Sequence, residues 1–389
     1  MKSVLYVGVG VPWRGGAGYL VRQNMFLQAL AEVADVTLAL FDCDAGVERP
    51  AFAAGILPLE RPFELPTNRL KNLRDDLFSP LPRMHRGDCC DKPISQISGL
   101  KVDKFDAVFG YRIDFSRFAG VLNHPRLILD VDDPEHLRQA DKVKAFDGGK
   151  IDWRSRWDLE KLRRYELNAV KRAKAAFVCQ PVDATAFYPH PVFIVPNCVE
   201  VPEINYTKSE IQTLVFVGNM SGGEGSPNGD AAKNFVEKVW PLIRSRCPSC
   251  KCLLVGGIED GLRGEFSRVA GVEVLGFVED LKAIYACRPV CIAPVRYGTG
   301  TRIKILEAMA YGCPVVSTSK GCEGIEITEN KEIIVADLEA DFADACVSLL
   351  GDFSRQERLG NAGKDLILRS YSRRHQHEKL VNLISKIMS

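Results

Sequence analysis

The sequence predicts an α/β protein of two domains, each a parallel sheet covered by helices on both faces. Short runs rich in Val, Ile, Leu and Phe alternate with longer stretches of helical pattern, which is how buried parallel strands joined by crossover helices read. The same rhythm occupies both halves of the chain. At 389 residues the chain is also too long for one ordinary core, and it suits two of under about 200 residues each.

In the first half, strands are expected at Val4–Val9, Val36–Phe41, Ala107–Tyr111, Leu127–Val131, Ala175–Cys179 and Phe193–Val195. Phe52–Leu100 is rich in Pro, Arg and Asp with weak periodicity, so irregular loops and short helices are expected there. Pro196–Ser209 (PNCVEVPEINYTKS) carries two prolines and little hydrophobic period, and marks the boundary between domains. Beyond it, strands are expected at Thr213–Val217, Cys252–Val255, Val272–Leu275, Val290–Ala293, Pro314–Ser317 and Ile333–Ala336. Tyr371–Met388 has Leu380, Leu383, Ile384 and Ile387 at helical spacing, a helix with one apolar stripe. Two placements stay open for it, packed on its own domain or crossing back to the first. The division drawn from sequence is 1–200, 201–370 and a terminal helix 371–389.

Composition narrows the function. Hydrophobic residues are 46% and charged residues 26%, so the whole chain should fold. Lys plus Arg number 51 against 50 acidic residues, which argues against a nucleic-acid binder acting by bulk charge. The opening MKSVLYVGVGVPWRGG has a short apolar run broken by Gly and Pro, so a first strand rather than a signal peptide is expected there. No later stretch approaches the roughly 20 apolar residues that span a bilayer, so a cytoplasmic location is expected and peripheral membrane contact stays open. Thirteen cysteines scattered through α/β sequence point to reduced thiols. Cys247, Cys250 and Cys252 hold half a zinc motif without its second half, so no metal is expected. The segment Arg154–Lys174 is basic and helical, read as a solvated helix in which Lys161 or Arg164 pairs with acidic neighbours, with an anionic acceptor or headgroup as the alternative.

The chemistry concentrates in Ala293–Ile327 (APVRYGTGTRIKILEAMAYGCPVVSTSKGCEGIEI). A strand ending at Ala293, a loop with Gly298 and Gly300, and a helix from near Thr301 bring free amides and the positive end of a helix dipole to one point. Arg302 and Lys304 add mobile charge for an anion, and Glu307 is placed to accept hydrogen bonds from a vicinal diol. Diphosphate plus ribose fits that set. So does a solvated helix face with a Lys304–Glu307 ion pair.

This segment resembles the donor-binding signature of retaining glycosyltransferases of the family 4 type, also called glycosyl transferases group 1. LVFVGNMSGGEGSPNGDAAKNFVEKVWPLIR, LLVGG and VEVLGFVEDLKAIYA continue the resemblance across Thr213–Tyr371. In the first half it rests on Gly15-Gly16, LILDVDDPEHLR and IVPNCVEVP. The resemblance implies the GT-B architecture, two Rossmann-like parallel-sheet domains facing each other across a cleft, with the acceptor on the first and a nucleotide-sugar donor on the second.

Residue by residue, the resemblance makes Glu307 the glutamate that holds the donor ribose. Eight positions earlier many relatives carry a second glutamate facing the transferred sugar, and here that position is Thr299. The amides of Gly298, Thr299, Gly300 and Thr301 are then left as the sugar and phosphate contacts. Gly218-Asn219 begins the loop where relatives carry an Arg and Lys pair, but SGGEGSPNG has no cation, so Arg302 and Lys304 are expected to supply the phosphate charge. Gly15 and Gly16 are expected to cap the sugar-diphosphate, or to form a plain turn. Asp130, Asp132, Asp133 and Glu135 crowd the end of the fourth strand. Asp132 matches a position near acceptor and transferred sugar, while an N-cap by Asp132 or Asp133 with Pro134 following explains the same residues without a ligand.

The implied reaction moves a glycosyl group, of hexosyl type, from a UDP or GDP sugar to a hydroxyl acceptor with retention, without metal or further cofactor. A sugar-nucleotide 2-epimerase of the same architecture and a non-enzymatic nucleotide-sugar-binding module are the alternatives. A dinucleotide oxidoreductase is disfavoured, because Gly8-Val9-Gly10 lacks the third glycine of the fingerprint.

Overall fold

The computed structural model describes residues 2–14, 18–64, 74–76, 78–85, 88–146, 151–207, 212–300 and 302–389. The chain forms two compact units, one of Met1–Pro196 with Gln376–Ser389, the other of Asn197–His375.

In the first unit, β1 (Lys2–Val9), β2 (Ala34–Phe41), β3 (Ala53–Leu59), β6 (Ala107–Tyr111), β7 (Leu127–Asp132), β8 (Ala175–Val178) and β9 (Phe193–Ile194) form one sheet, while β4 (Phe63–Glu64) and β5 (Asp88–Cys89) pair separately. The large sheet runs β3-β2-β1-β6-β7-β8-β9, every pairing parallel. Its central strands are buried along their length, since helices cover both faces, and this is why they read as unbroken apolar runs. Tyr6 stacks on Phe109 with ring centres 5.4 Å apart, and Phe26 of the helix Gly18–Val33 packs against Phe109 and Phe177.

The strand β3 corrects the expectation that Phe52–Leu100 begins irregularly. AAGILPL holds a Gly and a Pro, which weaken the strand pattern, yet β3 lies at the sheet's edge, where a missing N–H is tolerated.

In the second unit β10 (Thr213–Val217), β11 (Lys251–Val255), β12 (Val272–Gly276), β13 (Val290–Ala293), β14 (Val315–Ser317) and β15 (Ile334–Val335) form a parallel sheet in the order β12-β11-β10-β13-β14-β15. Its core gathers Leu214, Phe216, Phe235, Trp240 and Phe342. The Trp240 indole N–H donates to the Ala270 carbonyl at 3.0 Å, so the largest buried side chain is also satisfied.

Both sheets begin in the middle and reverse direction of winding once, between β1 and β6 and between β10 and β13. Doubly wound sheets open a crevice at the carboxyl ends of the two strands flanking such a switch. The terminal helix Arg373–Met388 buries Leu380, Ile384 and Met388, with residues from Gln376 onward in the first unit. There His377 faces Glu32, and the Lys2 ammonium donates to the Met388 carbonyl.

Candidate functional site

In the second unit the crevice between β10 and β13 collects most of the residues singled out from sequence. The chain leaves β13 at Ala293 and reaches the helix Ile303–Ala310 through a loop in which Gly298 and Gly300 adopt φ of 111° and 82°. Side chains rarely take these angles, so glycine is what allows the loop to turn twice so closely. Between the glycines, Thr299 is only 6% exposed, and its buried hydroxyl has no hydrogen-bond partner among the described residues. An unsatisfied buried hydroxyl costs stability and points to a polar group from outside the fold. Thr301, Gly15 and Gly16 lie outside the described residues.

Arg302 is not the mobile charge the sequence suggested. Its guanidinium turns back to donate to the carbonyls of Thr299 at 2.8 Å and Tyr297 at 3.4 Å, bracing the loop that it follows.

Lys304 reaches into the crevice. Its ammonium donates to the side-chain carbonyl of Asn228 at 2.6 Å and lies 4.3 Å from the centre of the Phe216 ring. The i, i+3 ion pair with Glu307 does not form, and among the described residues Lys304 has no carboxylate partner. Burial, with the Arg302 charge adding to it, holds the ammonium well below the ordinary lysine range.

Gly218 and Asn219 follow β10 directly. The Gly218 amide donates to the Val255 carbonyl at 2.8 Å, and Asn219 accepts from the Ser221 amide at 3.0 Å. Asn228 ties this loop to the helix Pro227–Asn234 by donating to the Asn219 carbonyl at 3.0 Å. Glu307 is half-buried, and burial pushes its carboxyl up to about 6, the nearby Tyr285 hydroxyl acting the other way.

Three participants escaped the sequence reading. Asn228 looked like a residue of a helix start, since Ser226 caps that helix and Pro227 opens it. Phe216 looked like core. Arg296, in the glycine loop's approach, forms a two-pronged pair with the buried Asp230, whose Oδ2 accepts at 2.9 Å. A cation paired across 66 positions leaves no local signature.

In the first unit, the acidic crowd at the end of β7 resolves into separate roles. Arg22 pairs with Asp130 through two nitrogens at 2.6 and 2.9 Å, and both side chains are enclosed. Asp132 lies 3.2 Å from the Arg22 guanidinium and accepts from the Tyr111 hydroxyl at 2.8 Å. Its φ of 60° coincides with a register shift between β7 and β8 at Asp130 and Asp132. Such strain is kept where a fold must aim a side chain. The N-cap alternative is corrected, because the Glu135 and His136 amides donate to Glu166, at 2.8 and 3.3 Å. Glu166 comes from the helix Trp153–Arg172, which is therefore not merely solvated; its Lys161 is buried too and donates to the carbonyl of Asp76, whereas Arg164 pairs with Glu160. Asp133 accepts from the Cys179 thiol at 3.5 Å.

Residues 211–352 match the family described as Glycosyl transferases group 1. An uncharacterized 44.6 kDa protein in the cps region of Klebsiella pneumoniae is 25% identical over 167 residues, which span 41% of this chain and 42% of that relative. The match thus covers less than half of the relative's length. Among solved structures, sucrose-phosphate synthase from Thermosynechococcus elongatus superposes with a TM-score of 0.74 at 14% identity, covering 100% of this chain and 99% of that one. Anabaena Alr3699/HepE in complex with UDP and glucose gives 0.63 at 13% identity, covering 99% of both. These likenesses show the fold, which is GT-B. The residues that match the glycosyl transferases group 1 model lie in the second unit, which carries the glycine loop and Lys304.

Proposed function

We propose that the chain transfers a glycosyl group from a nucleoside diphosphate sugar to a hydroxyl-bearing acceptor, with retention at the anomeric carbon. The observation that carries the reading is the Lys304 ammonium, held in the β10–β13 crevice by an amide and an aromatic face and, among the described residues, without a carboxylate. A cation so placed is matched by an anion from outside, and a diphosphate leaving group is the anion this family of reactions supplies.

The donor is assigned to the second unit. Glu307 takes the ribose diol, Lys304 the diphosphate, with Arg302 bracing the glycine loop beside it and adding its charge, and Gly218 and Asn219 the floor beneath it. Gly298, Thr299 and Gly300, with Thr301 by the sequence reading alone, are assigned to the transferred sugar and its phosphate, the orphan Thr299 hydroxyl being a donor or acceptor to it. Charge accumulates on the diphosphate as the glycosidic bond breaks, and preorganised cations stabilise that state more than the ground state. In the first unit Asp132, oriented by Tyr111 and Arg22, is assigned to the acceptor and transferred sugar, and Gly15 and Gly16 to the cap over the diphosphate. No metal or further cofactor is invoked. HepE holds UDP and glucose, which favours a uridine donor. No helix among the described residues is long and apolar enough to cross a membrane; a cytoplasmic site of action, with a sugar, lipid-linked glycan or small molecule as acceptor, completes the proposal.

A thermal-shift panel of nucleosides, nucleoside diphosphates and their sugars tests it. A ligand at 100 times its Kd stabilises the native state by about 2.7 kcal/mol, so one diphosphate series should raise Tm clearly. The reading fails if no nucleoside diphosphate or sugar nucleotide binds. A product of inverted anomeric configuration would remove the retention assignment alone.

A further inference from the structure

Lys304 is held by a neutral group in a place where an acid would fit. The Asn228 side chain has both ends committed, its N–H to the Asn219 carbonyl at 3.0 Å and its oxygen to the Lys304 ammonium at 2.6 Å. The opposite orientation would set an N–H against the ammonium, so the amide has one workable arrangement. The backbone beneath it is fixed as well, since Ser226 accepts from the Gly229 amide at 3.2 Å and Pro227 opens the helix. Aspartate has the same shape as asparagine and would neutralise the lysine, yet the residue is an amide.

The other charges nearby do not replace it. The one carboxylate of the helix Pro227–Asn234, Asp230, is turned to Arg296. On Lys304's own helix, Glu307 makes no pair with it, and Arg302 in the glycine loop adds a like charge. Phe216, from β10, offers only its ring face.

We propose that Asn228 is a positioning residue for Lys304: its neutral carbonyl seats the ammonium beside Gly218 and leaves that charge for the donor's phosphates to meet. The proposal rests on the reading of Lys304 as the leaving-group cation. In the free protein burial and Arg302 favour loss of the proton, whereas bound phosphate favours its retention. Diphosphate affinity therefore declines as pH rises through the titration of the free lysine, and the position of that decline reports on what surrounds the ammonium.

The experiment compares UDP and uridine binding across pH for the wild type, Asn228→Asp, Asn228→Ala and Lys304→Gln. Aspartate suits the first turn of a helix, so Asn228→Asp retains the fold. It should weaken UDP at least tenfold at neutral pH, because its carboxylate competes with phosphate, and should move the alkaline decline to higher pH. Asn228→Ala should weaken UDP without moving the decline upward. Uridine should bind all four proteins alike. Asn228→Asp with the wild-type affinity or pH profile overturns the proposal, as do equal losses for UDP and uridine. If Lys304→Gln itself binds UDP like the wild type, the leaving-group reading falls and takes Asn228 with it. If Lys304→Gln loses UDP while both Asn228 variants keep it, only the positioning role falls.

Discussion

The position that a Cβ would take on Gly218 lies 2.9 Å from the Lys304 ammonium and 3.0 Å from the Asn228 side-chain amide. A methyl group there must displace one of them. The lysine end is flexible, so the fold should accept the change while the cation moves. Gly218→Ala is therefore expected to keep its Tm within the shift that about 1 kcal/mol produces, yet to bind nucleoside diphosphate about tenfold more weakly, or 1.4 kcal/mol. Calorimetry beside UDP titration checks this, and unchanged UDP affinity would place the diphosphate away from Gly218.

Glu307 gives a pH signature of opposite sign in folding and in binding. Its carboxyl is raised from 4.5 to about 6 by burial, so the folded protein holds the proton more tightly than the unfolded chain. Stability from this group is full below pH 4.5 and declines as pH rises through 6, by at most about 2 kcal/mol. A ribose diol, however, needs the ionised acceptor, so donor affinity should rise over the same window. Glu307→Gln should flatten both curves and lower donor affinity with the fold intact. A variant that binds donor with the wild-type pH dependence would rule out the ribose assignment.

Arg22 and Asp130 test the frame behind Asp132. Burial works against both charges, and their mutual pairing, together with the Val195 carbonyl accepting from Arg22 at 2.8 Å, offsets it. Removing Arg22 leaves the Asp130 carboxylate enclosed without its cation. Arg22→Leu should cost about 3–5 kcal/mol, measurable by denaturant unfolding, whereas a loss under 1 kcal/mol would show that the site relaxes or admits water.

The parallel strands were legible because burial on both faces leaves unbroken apolar runs, as in β6 and β10. The edge strand β3 was not, since Gly55 and Pro58 interrupt its pattern and an edge needs less of one. The glycine loop and Glu307 were legible as neighbours in sequence. Asn228 was not, because it meets Lys304 only through the parallel order that sets β10 beside β13. The acidic run at the end of β7 was visible, but its division among Arg22, Tyr111 and Cys179 depends on side chains from distant parts of the chain. Spacing along one segment carries no information about those.

Lys304 should separate stability from activity. An ammonium kept from water without a carboxylate partner costs the fold free energy. Because its proton is held less tightly when folded, stability should rise with pH over the interval between its depressed value and the ordinary lysine range, the reverse of the Glu307 case. Lys304→Met keeps the aliphatic stem against Phe216 and removes the charge. The free protein should then gain on the order of 1 kcal/mol, raising Tm by about 2–4 °C, and the alkaline part of its stability profile should flatten. Turnover should fall by about 2–4 kcal/mol of transition-state stabilisation, as for other preorganised contacts to a developing anion. Arg302→Gln should behave differently, because its guanidinium braces the Thr299 and Tyr297 carbonyls; it should lower Tm and turnover together. Thermal unfolding and steady-state kinetics on the two variants decide between these roles. If Lys304→Met is both less stable and fully active, the lysine is a structural residue and the diphosphate is held by other groups.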